Sequence, residues 1–137
     1  LHFDWCLQQG KAKKVVPTSI RAKGFLKSAS EAVATASLIP LRPETAKSIL
    51  RELYEGLREC CEALGFVYGY KFLDHESITY FLRDILKEEH ISKKFDRYRK
   101  LRNGINYYGH DVGLVTVKEA LMEIPEIIKF LEKYGPK

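Results

Sequence analysis

Residues 43–65, PETAKSILRELYEGLRECCEALG, decide the fold class. Ala46, Ile49, Leu50, Leu53, Leu57, Cys61 and Leu64 recur at spacings of three and four, the period of one buried face on an α-helix. Pro43 suits the first turn, where a missing N–H is not needed, and the spacing predicts a helix from there to about Gly65.

The same period extends outward in both directions. Upstream, a helix is expected from about Thr18 to Ser37, with a stripe of Ile20, Phe25, Ala29, Ala32, Val33 and Ala36. Its alanines let a neighbouring helix come close, and LIPLRP (38–43) breaks the pattern before the next helix. Residues 3–9 make a short helical turn anchored by Phe3 and Trp5, and residues 10–17 read as a loop. Downstream, FVYGYKFLD (66–74) reads as an aromatic loop, and Asp74 caps a short helix through Ile78, Phe81, Leu82 and Ile85. Ser92 is the expected cap of a fourth helix with a stripe of Phe95, Tyr98, Leu101, Ile105 and Tyr108. The last helix opens at Thr116, where Glu119 completes a capping box, and Pro125 predicts a kink or a break within it. Almost nothing alternates as a strand does. Five amphipathic helices with short connections specify an all-α, up-and-down bundle.

Composition sets the outer limits. The chain has 137 residues, 45% hydrophobic and 30% charged, which fits one domain over 1–137 with the bundle at 17–134 and a short helix and loop at 1–16. A formal charge of +5 favours an anionic partner such as nucleic acid, a nucleotide or an acidic protein surface. No apolar run reaches the roughly 20 residues of a membrane-spanning helix, and the first residues lack the zones of a signal peptide. A soluble, cytoplasmic protein without membrane contact is therefore expected. Cys6, Cys60 and Cys61 are odd in number and lack zinc-site spacing, and Cys61 falls on an apolar stripe as a small buried hydrophobe would. There is no glycine-rich phosphate loop to suggest ATP hydrolysis.

Functional chemistry concentrates in KKFDRYRKLRNGINYYGHD, Lys93 to Asp111. Beside its apolar stripe, Arg99, Asn103, Asn106 and His110 share a second face, with groups suited to holding phosphate and moving protons. Arg102 flanks the stripe and supplies a fixed charge, while His110 supplies a group for proton transfer. Tyr107 lies one turn beyond Asn103, placed to stack on a base or donate to a phosphate, whereas Tyr108 belongs to the buried stripe. Lys71 in the aromatic loop can reach phosphate, and Lys11, Lys13, Lys14, Arg21 and Lys23 widen a basic surface. His75 reads as a first-turn residue covering a helix start. Asp74, His75 and Glu76 point in different directions on a helix, so no metal site is expected there, and no cofactor is implied. Arg99, Arg102 and Asn103 fall mid-helix beside the buried stripe, which disfavours reading of a DNA major groove.

These parts, in this order, resemble the HEPN family of nucleotide-binding helical bundles over roughly residues 17–134. The resemblance rests on the alanine-rich first helix, the second helix ending in ALGFVYGYKFLDHE, and RNGINYYG on a late helix. Arg102-Asn103 looks like the start of the family signature, an Arg followed after four to six residues by His. Here seven residues, 103–109, separate Arg102 from His110. The resemblance implies a homodimer that binds nucleotide or RNA. It implies one of two roles: a metal-independent endoribonuclease using Arg102 and His110, or a module paired with a small nucleotidyltransferase in a toxin–antitoxin system. Within one ideal helix the two residues would stand about 80° and roughly 12 Å apart, so catalysis requires the chain to fold back at Gly109 or a two-fold partner. A pure protein-interaction bundle, with the Arg/Asn/Tyr face as its interface, is the remaining alternative.

Overall fold

The computed structural model describes all 137 residues, Leu1–Lys137. It is an all-α bundle: α1 (Phe3–Gln8), α2 (Ser19–Leu38), α3 (Ala46–Tyr68), α4 (Glu76–Asp84), α5 (Glu89–Tyr108) and α6 (Leu114–Leu131), closed by a 3₁₀ turn at Glu132–Tyr134. The long helix α3 lies at the centre and packs on α2, α4, α5 and α6. Its inward stripe of Ala46, Ile49, Leu50, Leu53, Leu57, Cys61 and Leu64 is almost wholly removed from water, as the spacing predicts. Each such side chain contributes about 1.5–3 kcal/mol when fully buried if it is a leucine or isoleucine, so this one face dominates the core. Cys60 and Cys61 are both buried on it, and burial pushes the Cys60 thiol up to about 12, which leaves it unreactive at neutral pH.

Two stretches read as loops pair with each other. Strands β1 (Ala12–Lys14) and β2 (Tyr70–Phe72) form an antiparallel ribbon with Lys13 opposite Lys71. Three residues are too few to display alternation, and the partner strand lies beyond two helices in sequence. The ribbon also accounts for the glycine at position 65, which is not the end of α3. A Cβ there would come within 2.7 Å of the Phe72 ring and 3.0 Å of the Tyr70 carbonyl oxygen, so this glycine serves close approach of β2. The helix continues to Tyr68 and ends on Gly69 at φ 85°.

Other expectations are corrected by packing. In α2 the alanines 22, 29, 32 and 36 are buried, but Ile20 is exposed, because it lies about 200° round the helix from Ala22, which already packs on Ala63 and Phe66. Ser92 does not cap α5. Lys87 turns the chain through φ 60°, the helix starts at Glu89, and the Ser92 N–H already donates to the Glu88 carbonyl at 2.9 Å, leaving Ser92 buried inside the first turn. Thr116 does not cap α6 either. Gly113 is the cap, its carbonyl accepts from the Val117 N–H at 3.2 Å, and Glu119 is drawn away to Arg97 on α5. Nor does Pro125 break α6. Ile124, Ile127 and Leu131 are buried on both sides of it, and their burial outweighs a proline penalty of about 3 kcal/mol. Asp74 does act as a cap, its carboxylate accepting from the Ser77 N–H at 2.9 Å.

Candidate functional site

Helix α5 carries the chemistry, and α3 and α4 position it. Phe95, Tyr98 and Ile105 anchor α5 in the core, which turns Arg99, Arg102 and Asn103 toward the start of α4. There they line a pocket of about 360 Å³ together with Lys11, Asp74, His75, Glu76 and Tyr107. Asp74, His75 and Glu76 thus share one pocket although they follow one another in sequence. The turn into α4 spreads them: Asp74 reaches Lys11 at 3.2 Å, Glu76 approaches Arg99 at 3.9 Å, and His75 faces α3 and α5.

The cations of the pocket differ in how they are satisfied. Lys11 is paired with Asp74, and Arg99 with Asp96 at 2.7 Å. Burial raises the Asp96 carboxyl, but hydrogen bonds from Arg99 and Lys100 outweigh it and hold it below the ordinary carboxylate value. Arg102 has no carboxylate partner. Its guanidinium donates to His75 Nδ1 and, at 3.4 Å, to the Tyr107 hydroxyl. It also rests over the Tyr54 ring, 4.9 Å from the centroid, with the Tyr107 ring at 5.9 Å. An arginine so placed is oriented by aromatic faces and keeps donors for an anion.

Beneath Arg102 lies a polar link that the sequence does not reveal. Tyr54 is buried within the apolar face of α3, and its hydroxyl is 2.9 Å from His75 Nδ1. Burial raises the Tyr54 pKa against the opposing charge of Arg102, so the phenol stays protonated. Burial is also the largest influence on His75. With the charges of Arg102 and Arg58 acting in the same direction, it lowers the imidazole from 6.5 to about 4. His75 is therefore neutral at physiological pH.

The other sequence-derived candidates separate. Arg99, Arg102, Asn103 and Tyr107 meet in the pocket. Asn106 faces α3 and accepts from Arg51 Nε at 2.7 Å, and Lys71 lies in the ribbon, while Lys11 is the lysine that lines the pocket. Tyr108 is 74% exposed, not core, because α5 runs past its last buried residue, Ile105, before Gly109 ends it at φ 65°. His110 does fold back at that glycine, its N–H donating to the Gly104 carbonyl at 3.0 Å. It returns to a different side of the helix. Its Nδ1 would stand 2.9 Å from a Cβ on Gly104, and it lines a second pocket of about 500 Å³ with Arg97, Lys100 and Asp111. Arg102 and His110 of one chain thus face separate pockets. The missed members, His75 and Tyr54, had one signal each: a histidine beside a capping aspartate, and a tyrosine within a leucine stripe.

No three His, Cys, Asp or Glu side chains gather in a group that would hold a metal ion. No helix is long and apolar enough to cross a membrane. No protein-family model, curated protein or solved structure matches the chain.

Proposed function

We propose that this chain is a HEPN-type helical module that binds a nucleotide or RNA in the Arg102 pocket and acts with a protein partner such as a small nucleotidyltransferase, in the manner of toxin–antitoxin pairs. One observation carries the ligand class: Arg102 is held at the pocket between two tyrosine rings with no carboxylate to neutralise it. A guanidinium with free donors matches the paired oxygens of a phosphate, and Tyr107, 70% exposed at the rim, offers a ring on which a base can stack. Asn103 adds an amide beside them. The excess of basic over acidic residues favours the same ligand through long-range attraction. The homodimer belongs to this proposal through the family resemblance, and a monomeric mass by light scattering at micromolar concentration removes it.

Binding is preferred over cleavage because the two groups that would make a ribonuclease, Arg102 and His110, line different pockets of one chain. A catalytic pair would have to form between chains. The deciding experiment titrates AMP and a short single-stranded oligoribonucleotide into the purified chain, then incubates mixed RNA with it in chelator. Saturable binding that Arg102→Ala weakens roughly a hundredfold, without cutting, is the expected result. Cutting lost in both Arg102→Ala and His110→Ala would replace the binding module with a metal-independent endoribonuclease. Absence of binding to either probe would end the nucleotide proposal and leave the pocket as a protein interface.

A further inference from the structure

We infer that His75 is the second phosphate-binding residue of the Arg102 pocket: its Nδ1 lone pair holds the guanidinium in place, and its Nε2–H donates to the phosphate that the guanidinium binds. The inference deepens the proposed function and rests on it for the presence of a phosphate ligand.

The tautomer follows from the partners. A guanidinium can only donate, so the nitrogen that Arg102 approaches must be an acceptor. Nδ1 therefore carries no proton, and the Tyr54 hydroxyl at 2.9 Å also points its hydrogen toward it. A neutral imidazole has one N–H, which is then on Nε2. That nitrogen has no protein partner, while the side chain lines the pocket. Two donors from different elements, one cationic and one neutral, thus serve the same small space. The neutral donor suits a site that already contains Lys11 and Arg99, since a second full charge beside Arg102 would push the guanidinium away.

The same bonds set His75 apart from a general base. Its only lone pair is occupied by Arg102 and Tyr54, so it holds and orients rather than removes a proton. They also make the pocket the property of one chain. Tyr54 on α3, His75 at the start of α4 and Arg102 on α5 are joined without a second copy.

The test combines the tautomer with binding. Histidine nitrogen NMR at neutral pH on the wild-type protein should show His75 protonated on Nε2, with that resonance shifting when AMP is added. His75→Asn keeps an acceptor near the Nδ1 position but loses the distal donor, and should weaken AMP about tenfold. His75→Leu loses both and should weaken it further. The oligoribonucleotide, run in parallel, distinguishes a free nucleotide from an RNA strand as the source of the phosphate. A proton on Nδ1 would overturn the inference. So would AMP binding at wild-type strength by both His75 variants while Arg102→Ala binds none; the Arg102 site would then survive without its histidine. Recovery of binding on mixing Arg102→Ala with His75→Leu chains would also overturn it, because the two residues would then act from different chains. Wild-type protein that binds neither AMP nor the oligoribonucleotide would sink the inference and the proposed function together.

Discussion

The middle of α5 and its C-terminal tip carry similar residues, and the bundle treats them differently. In the middle, Arg99 and Arg102 are each oriented by groups from elsewhere in the fold: Glu76 and His75 at the start of α4, and Tyr54 on α3. At the tip, Tyr107 and Tyr108 are 70% and 74% exposed, and His110 contacts its own helix and the Tyr108 ring. Held polar groups make a site with fixed geometry. Free ones make a rim that can follow a ligand but does not define where it sits.

The largest difference should appear in ligand binding. Arg102→Ala removes the one pocket cation without a carboxylate partner, and charge-assisted hydrogen bonds are worth about 1.5–3 kcal/mol each. A loss of roughly a hundredfold in AMP affinity by calorimetry is expected. A loss below about threefold would mean that the middle of α5 is as free as its tip.

Acid should loosen the held region next. His75 has a folded pKa near 4 against an ordinary 6.5, set by burial and then by Arg102 and Arg58, with Glu55 and Asp74 acting in the opposite sense. The unfolded chain takes up this proton more readily than the folded one. The stabilisation from neutral His75 is complete above the unfolded value and is lost as pH falls from about 6.5 through about 4. Urea midpoints of the wild type should drop across that window more steeply than those of His75→Asn. Parallel slopes would remove His75 from the acid response.

The same contrast explains what the sequence discloses. Helices with long apolar stripes are legible, since Ile49 to Leu64 must lie on one face whatever they pack against. The ribbon is not legible, because Lys13 meets Lys71 only after α2 and α3 have folded between them. The site is half legible for the same reason. Arg99, Arg102 and Asn103 share one helix and can be read as a cluster, but the histidine that Arg102 contacts comes from the turn into α4 and the buried phenol from α3. Proximity in sequence favours His110 as the partner of Arg102. Three-dimensional packing supplies His75.

A smaller effect is expected from the hydroxyl beneath the pocket. Tyr54→Phe leaves the ring under Arg102 and leaves His75 Nδ1 satisfied by the guanidinium. The bond at 2.9 Å and the hydroxyl's interaction with Arg102 are lost, so stability should fall by about 1 kcal/mol in urea unfolding. A loss above about 3 kcal/mol would show that the hydroxyl, and not the ring, holds the region together.

The tip should respond least. His110→Ala removes a side chain that lines the other pocket and contacts Gly104, so AMP affinity should stay within about twofold of wild type. Tyr108→Ala removes a ring that is mostly in water, and stability should change by no more than about 0.5 kcal/mol. Both changes should be small for the same physical reason: beyond Ile105 no neighbouring helix covers the face of α5 that these residues occupy. If His110→Ala instead weakens AMP as much as Arg102→Ala, the tip must be brought into the pocket by something outside the single chain. A second copy supplying His110 in trans would then be the arrangement to seek, by testing whether Arg102→Ala and His110→Ala chains restore binding when mixed.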